Sequence, residues 1–374
     1  MKIGFDAKRA YHNSTGLGNY SRTLIKSLAS LYPQHDYYLF NPKVSKKYHF
    51  NKPNIHEILP LTLLSKMLPS LWRSKLLSTD LVNSGIDIYH GLSHEIPFGL
   101  KKKRIKSVVT IHDLIPERFP EQYKKMDVRI YHKKFLHACR NADKIIAISL
   151  QTKKDIIEYY NIPEEKIVVC YQSCDQSFSI RADEKTKKEI AEKYNLPPIF
   201  YLYVGSIIER KNLLAICKAV KLLKNNVPLV IIGDGKNYKD EIIAFIGSSE
   251  IRQNFIFLSE RLPKPIFTDL PVIYQLATAM IYPSFFEGFG LPVMESLCSG
   301  LPVITSNVSC LPEAGGDAAI YVNPNSPEQI ADAMALILQD PQTADAMKEK
   351  GFKYAQQFSL DICTAKVMDV YLSL

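Results

Sequence analysis

Several features that would place this chain outside the ordinary soluble proteins are missing from its sequence. The seven cysteines are odd in number and scattered, and no C-x-x-C pair occurs, so we predict reduced, mostly buried thiols. No stretch reaches the roughly 18 uncharged apolar residues that a membrane span requires. The first residues lack the apolar core and cleavage site of a signal peptide. We therefore expect a cytoplasmic protein whose membrane contact is at most peripheral, at the inner face of the membrane.

Metal-binding patterns are missing as well. The sequence has no D-x-D triad and no His, Cys and carboxylate cluster with metal-ligand spacing. Cys170 and Cys174 are close enough to suggest a metal site, but no second ligand pair with zinc-finger spacing follows them. We predict no metal and no other resident cofactor.

The length and the charge distribution indicate two unlike domains. The chain has 374 residues, more than one hydrophobic core usually supports. Residues 1–180 hold 28 Lys and Arg against 16 Asp and Glu, a net charge of +12, and the rest holds 19 against 22, a net charge of −3. A basic half of this kind slightly favours an anionic partner, such as a membrane surface or a lipid phosphate. The alternative is surface charge that only contacts solvent. We expect no nucleic-acid partner, because no stacking platform or recognition motif accompanies the basic residues.

Short β-branched or aromatic runs alternate with amphipathic segments along the whole chain, which is typical of parallel βαβ units. We predict an α/β fold with seven strands in the first half and six in the second. The strands begin near Lys2, Tyr37, Ile55, Ile86, Ser107, Lys144 and Lys166, and then near Ile199, Pro228, Phe255, Ala279, Pro302 and Ala318. A polar stretch, 172–198, separates the two series and indicates the domain boundary.

The segment 61–78 admits two interpretations. It combines Leu and Met with Lys66, Arg73, Lys75 and the only tryptophan, Trp72. A basic amphipathic helix of this kind can bind an anionic membrane surface. The alternative is a pair of core-packing helices with solvated lysines.

The most informative stretch runs from Pro283 to Ser306 and predicts a strand, a glycine loop, a helix and a strand. Pro292 suits the first turn of the helix and Gly300 suits its end. The helix therefore begins at the loop 287–290, where unpaired N–H groups can hold a phosphate or a sugar oxygen. Glu295 lies further along the same helix and can reach a diol such as a ribose; a capping or surface role is the alternative.

The stretch from Glu287 to Glu295 reads E-G-F-G-L-P-V-M-E and resembles the hallmark of a known family. Two glutamates separated by seven residues in this context are similar to those of the retaining, glycogen-synthase-like glycosyltransferases of family 4. The stretch 306–324 is also similar to that family. The resemblance covers nearly the whole chain and implies the GT-B fold, with two facing Rossmann-like doubly wound domains and a cleft between them.

The resemblance implies a domain organisation. Residues 1–180 are expected to form an acceptor domain, and residues 190–357 a domain for a nucleotide-sugar donor. The final helix, 358–374, is expected to pack back on the first domain. In such enzymes side-chain cations and helix ends stabilise the leaving diphosphate, so no metal is implied.

Candidate cations follow the first strand of the second domain. Arg210 and Lys211 lie at the carboxyl end of that strand, and fixed cations there would stabilise a leaving diphosphate. The resemblance implies that Lys211 contacts the diphosphate. Many family members carry Arg directly after the strand's glycine, whereas this chain has Ser206, and Arg210 is the candidate substitute. A solvated pair of cations is the alternative.

Candidate residues in the first half are Gly16, Gly18 and His112. The two glycines precede an amphipathic helix, where the helix-end argument applies again; in the family this loop approaches the donor phosphates. His112 ends a strand at the expected carboxyl edge of the sheet and has a side chain suited to proton transfer near neutral pH. A structural role is the alternative, but the resemblance implies a position beside the donor sugar.

The resemblance, which extends to bacterial mannosyltransferases that build surface polysaccharides such as lipopolysaccharide, implies a metal-independent, retaining hexosyltransferase. Glu287, His112 and Lys211 are the catalytic candidates. The donor would be bound by Gly16, Gly18, Ser206, Arg210, Lys211, Arg261, Leu262, Glu287, Gly288, Phe289, Gly290, Leu291 and Glu295, with Arg261 and Leu262 at the base. GDP-mannose is the first expected donor and a UDP-sugar the second, and the acceptor is a surface polysaccharide or a polyprenyl-linked saccharide. The alternatives are a nucleotide-sugar epimerase or sugar phosphorylase, and a noncatalytic carbohydrate or lipid-phosphate binding protein.

Overall fold

The computed structural model describes residues 1–223, 225–261 and 268–374, without the side chains of residues 260 and 261. Its internal contacts divide the chain into two compact units, Met1–Gln172 with Leu360–Leu374, and Ser173–Ser359. The division precedes the predicted residue 180 because the segment after Gln172 bonds to the second unit. There Ser299 Oγ donates to Phe178 O over 3.3 Å, and Gln275 Nε2 donates to Ile180 O over 2.8 Å.

The first unit contains a seven-stranded parallel sheet. Its order is β3-β2-β1-β4-β5-β6-β7. Strands β2 and β3 therefore lie on one side of β1, and β4 to β7 lie on the other side. The central strands β4 and β5 are almost entirely buried, as expected for a parallel sheet covered on both faces, whereas the edge strand β3 has no buried residue. Their bounds are β1 Lys2–Asp6, β2 Asp36–Phe40, β3 Ile55–Ile58, β4 Ile88–Gly91, β5 Lys106–Ile111, β6 Lys144–Ala147 and β7 Ile167–Val169.

The helices of the first unit include the last helix of the chain. Its side chains join the core of this unit, because Thr364 hydrogen-bonds Ser27 of α2 over 2.7 Å and Tyr371 hydrogen-bonds His90 of β4 over 2.6 Å. The helices are α1 Lys8–His12, α2 Gly16–Leu31, α3 Leu63–Met67, α4 Pro69–Leu71, α5 Leu77–Asn83, α6 Ile115–Arg118, α7 Lys125–Asn141, α8 Leu150–Tyr160 and, after the second unit, α18 Leu360–Leu372.

The second unit repeats this architecture. Its described strands form a six-stranded parallel sheet of order β10-β9-β8-β11-β12-β13. The strands are β8 Tyr201–Val204, β9 Leu229–Ile232, β10 Phe255–Phe257, β11 Ala279–Tyr282, β12 Val303–Ser306 and β13 Ala319–Val322. The helices are α9 Glu184–Tyr194, α10 Leu213–Leu223, α11 Asn237–Ser248, α12 Leu258–Arg261, α13 Leu270–Leu276, α14 Leu291–Ser299, α15 Leu311–Gly315, α16 Pro327–Gln339 and α17 Pro341–Ala355.

The predicted α/β fold is confirmed, since every predicted strand is present and both sheets are parallel. Both have the strand order of a doubly wound Rossmann-like fold, in which ligands bind beyond the carboxyl ends of the strands where the order reverses. In the second unit that position lies between β8 and β11.

The segment 61–78 divides into an exposed first half and a more buried second half. Trp72 is fully buried and its Nε1 donates to Asp80 Oδ2 over 2.6 Å, so the second half belongs to the core. In the first half, the large apolar side chains are between 48% and 83% exposed: Leu61, Leu63, Leu64, Met67 and Leu68. Within the described ranges, no helix has the length and apolar character needed to cross a membrane.

Candidate functional site

The candidate site of the second unit lies at the carboxyl ends of β8 and β11. The chain after β8 forms a 3₁₀ turn over Glu209–Lys211, and the chain after β11 leads into α14. The two loops are joined, because Phe285 N donates to Arg210 O over 2.9 Å and the Asn212 side chain donates to Pro283 O over 3.0 Å. The hydrogen bonds fix the predicted cations next to the loop that carries Glu287.

Glu287 binds both predicted cations. Lys211 Nζ lies 2.9 Å from its Oε1, and Arg210 Nη1 lies 3.1 Å from its Oε2. Tyr282, the last residue of β11, donates its hydroxyl to Oε1 over 2.9 Å and is also hydrogen-bonded by Lys211. The three charged side chains are only 10% to 13% exposed, so the charges act on one another with little screening by water.

The Glu287 carboxyl is ionised at neutral pH. Burial alone would raise its pKa, but the charges of Lys211 and Arg210 outweigh burial and hold the pKa at about 2. Its backbone is fixed as well, since the Ser309 hydroxyl donates to Glu287 O over 3.0 Å and accepts from Glu287 N over 3.3 Å. The carboxylate therefore has a defined position and a permanent charge.

Helix α14 begins directly after this cluster. Gly290 is its N-cap with φ of 108°, and a Cβ atom there would lie 2.9 Å from Leu311 Cδ2, so this position requires glycine. Phe289 is buried and packs against Phe358, with ring centroids 5.7 Å apart. The backbone of three predicted contacts therefore lies at the start of α14: Gly288, Gly290 and Leu291. The ring of the fourth, Phe289, belongs to the core.

Glu295 lies on the same helix and has a different environment. Its Oε2 accepts from Tyr274 over 2.8 Å, and the side chain is partly exposed. Burial raises its pKa to about 7, helped by the nearby Asp175 and opposed by Tyr274 and Lys211. The two glutamates of the motif therefore differ, because the pKa of Glu287 is lowered by its cations and the pKa of Glu295 is raised by burial.

The remaining predicted donor contacts of the second unit are Ser206, Arg261 and Leu262. Ser206 is exposed beyond Gly205, and its carbonyl accepts from Tyr203 over 3.0 Å. Arg261 ends α12, but its side chain lies outside the described residues. Leu262 also lies outside the described residues.

The two candidate glycines of the first unit have different surroundings. Gly16 is the first residue of α2, and beyond its chain neighbours and its own helix backbone no atom lies within 4 Å of where its Cβ would be. A Cβ on Gly18 would lie 2.0 Å from Asn13 O, so Gly18 is required by the turn itself. Gly16 alone combines a helix N-terminus with open space for a ligand.

His112 is a neutral, fully bonded imidazole in the first unit. Its Nε2 donates to Leu92 O over 2.9 Å, so its Nδ1 accepts from the Gln172 amide over 3.0 Å. Burial, together with the nearby His94, lowers its pKa to about 3. At neutral pH the ring is a fixed dipole, and both nitrogens already have partners within the unit.

Sequence reasoning missed two tyrosines of the site. Tyr282 bonds Glu287 and Lys211, and Tyr274 bonds Glu295. Tyr282 had a signal, because it is a polar-tipped aromatic at the last position of a buried strand directly before the motif loop. Tyr274 had no such signal in the sequence, because only the tertiary structure brings its helix, α13, next to α14.

Two family models match this chain. "Glycosyltransferase Family 4" matches residues 14–178, and "Glycosyl transferases group 1" matches residues 183–354. The chain belongs to the glycosyltransferases. The second match contains Arg210, Lys211, Glu287 and Glu295. The family resemblance inferred from the motif is confirmed.

Known glycosyltransferases resemble the chain along its whole length. The O-antigen chain mannosyltransferase B of Escherichia coli is 29% identical over 386 residues, with 99% of each chain covered. Among solved structures, a glycosyltransferase from Rickettsia africae has a TM-score of 0.76 at 20% identity, covering 100% of this chain and 98% of that one. Anabaena Alr3699/HepE, solved with UDP, has a TM-score of 0.76 at 16% identity, covering 100% of both. These likenesses confirm the predicted GT-B class of two Rossmann-like domains.

Proposed function

We propose that this glycosyltransferase moves a mannosyl residue from GDP-mannose to a surface polysaccharide or a polyprenyl-linked saccharide. A UDP-sugar is the second candidate donor. The observation that carries the proposal is the buried cluster of Arg210, Lys211 and Glu287 at the start of α14, with Glu295 on the same helix. The name of the Escherichia coli relative supports mannose and a polysaccharide acceptor. The UDP bound to the Anabaena protein supports a nucleotide donor.

Lys211 and Arg210 would hold the donor diphosphate. The bond between the anomeric carbon and the diphosphate oxygen breaks during transfer, and negative charge accumulates on that oxygen. Two fixed cations with 10% to 13% exposure stabilise this charge more in the transition state than in the bound donor. Because the side chains supply the positive charge, we expect transfer to continue when divalent metal is removed.

The remaining groups would orient the donor. Glu295 would accept hydrogen bonds from the ribose diol, while Glu287 and the N–H groups of 288–290 would contact the sugar ring. The open backbone at Gly16 would approach the diphosphate, and the neutral His112 ring would lie near the anomeric carbon. Retention follows if the acceptor hydroxyl attacks from the side on which the diphosphate leaves and its proton passes to the departing phosphate oxygen.

A thermal-stability panel in EDTA tests the donor site. A ligand present at 100 times its dissociation constant contributes about 2.7 kcal/mol, enough for a clear shift in melting temperature. We expect GDP and GDP-mannose to stabilise the wild type, and this shift to be lost in Lys211→Ala and Glu295→Ala. Lys221→Ala is the matched control, because Lys221 is exposed on α10. Absence of stabilisation by any nucleotide would contradict the donor-site assignment and favour a noncatalytic binding protein.

We also propose a peripheral contact between the first unit and an anionic membrane. The five apolar side chains exposed along 61–68 accompany the exposed Lys66. A basic turn, Lys101–Lys103, adjoins the following helix, since Lys103 Nζ donates to Thr79 of α5 over 2.8 Å. Insertion of apolar side chains and attraction of cations to lipid phosphates reinforce one another. A polyprenyl-linked acceptor would be located in the same membrane.

Sedimentation with vesicles tests this contact. We expect binding to vesicles with phosphatidylglycerol, weaker binding to phosphatidylcholine alone, and loss of binding in the double variant Leu63→Ser, Leu64→Ser. The control double variant Leu222→Ser, Leu336→Ser removes leucines that are 49% and 44% exposed on the second unit, and should bind as the wild type does. Equal binding by both double variants would contradict the proposal.

A further inference from the structure

The two cations of the candidate donor site are already neutralised in part by an anion of the chain itself. One Glu287 oxygen is bound by Lys211 and the other by Arg210, at 2.9 and 3.1 Å. The carboxylate therefore engages both cations at once, as the oxygens of a phosphate group would. All three side chains are largely buried, so the ion pairs are stronger than surface pairs.

We propose that Glu287 occupies the electrostatic place of the donor diphosphate in the free protein, and that a bound diphosphate competes with it for Lys211 and Arg210. This inference rests on the proposed donor site. A diphosphate brings at least two negative charges toward a fixed carboxylate that is ionised at neutral pH. Binding must therefore break the two ion pairs or tolerate like charges side by side, and either requirement weakens the binding of a diphosphate.

The cost of displacing Glu287 differs between donor and product. A nucleotide sugar carries hydroxyl groups, which can donate hydrogen bonds to the displaced carboxylate. A nucleoside diphosphate has no sugar beyond its phosphates and leaves the carboxylate without such partners. Glu287 would thus discriminate in favour of the donor, and its return to Lys211 and Arg210 would help to expel the product after transfer.

The test compares product and donor binding by calorimetry at pH 8. Dissociation constants of GDP, inorganic pyrophosphate and GDP-mannose are measured for the wild type, Glu287→Gln and Glu295→Gln. We expect Glu287→Gln to bind GDP and pyrophosphate at least tenfold tighter, with a smaller gain or a loss for GDP-mannose. Glu295→Gln removes a carboxylate of α14 that forms no ion pair with any side chain the structure describes, and this variant should bind GDP more weakly.

The outcomes separate this inference from the proposed function. If the wild type binds none of the three ligands, the donor site itself is wrong. If the wild type binds GDP but Glu287→Gln binds GDP and pyrophosphate equally or more weakly, the competition is refuted while the donor site stands. If Glu287→Gln does not fold, Glu287→Asp is measured instead. This variant has a side chain shorter by one methylene, which weakens both ion pairs. Tighter GDP binding by Glu287→Asp would support the inference, and unchanged or weaker binding would overturn it.

Discussion

We predict that nucleotide binding depends on pH through the protonation of Glu295. Its carboxyl has a pKa of about 7, because burial opposes the charge and Tyr274 compensates only in part. An ionised carboxylate accepts both hydroxyl hydrogens of a ribose diol, whereas the protonated group must itself donate one hydrogen. Only the ionised form fits the assigned role, and this form becomes more abundant as the pH rises.

The size of the change in GDP affinity follows from the titration of the Glu295 carboxyl alone. With a pKa of about 7, the ionised fraction is about one tenth at pH 6 and about nine tenths at pH 8. If only that fraction binds, GDP affinity should rise about tenfold between pH 6 and pH 8. The stability of the free protein should move the other way, because a raised carboxyl pKa favours folding below about pH 4.5 and this contribution is lost as pH rises through 7.

Calorimetric titration of GDP into the wild type and Glu295→Gln across pH 6 to 8 tests this reasoning. The phosphates of GDP titrate in the same range, but they do so identically for both proteins, so the difference between the two slopes isolates Glu295. We expect the variant to bind GDP more weakly than the wild type at every pH, with a deficit that grows about tenfold between pH 6 and pH 8. The same slope in both proteins would refute the argument.

Two further predictions concern the first unit. Gly18→Ala places a methyl group 2.0 Å from Asn13 O and should lower the free energy of unfolding by about 2 kcal/mol or more in urea denaturation. Gly16→Ala meets no atom within 4 Å and should leave stability within about 0.5 kcal/mol while weakening nucleotide binding; equal destabilisation by both would contradict the distinction. Tyr371→Phe leaves the buried His90 Nδ1 without its partner and should cost about 1 to 3 kcal/mol by the same assay, whereas an unchanged midpoint would show that α18 contributes little through this bond.

Local sequence patterns predicted the fold because parallel strands are short, buried and rich in β-branched residues. Each of these properties can be recognised in a short stretch of sequence. The helix after Glu287 was equally readable: α14 runs from Leu291 to Ser299, with Pro292 in its first turn and Gly300 at its end in a left-handed conformation with φ of 69°. The charged partners of the site could also be named, since the carboxyl ends of strands converge in a doubly wound sheet.

Features that depend on tertiary packing could not be read in the same way. The sequence marks His112 as a titrating group, but its burial and its bonds to Leu92 and Gln172 keep it neutral. The segment 61–78 reads as one amphipathic unit, yet only the part from Trp72 onward is covered by the core. Periodicity identifies an apolar face and does not specify whether anything covers it.

The most direct test of the account is release of GDP from GDP-mannose in EDTA, with a lipid-linked saccharide as acceptor. We predict acceptor-dependent release and a mannosylated lipid product for the wild type, at least a hundredfold slower release for Lys211→Ala, and unchanged release for Lys221→Ala. The product should keep the anomeric configuration of the donor. Wild-type release that does not depend on Lys211, or binding of nucleotide with no transfer to any acceptor, would contradict the assignment of this site as the centre of a glycosyltransferase.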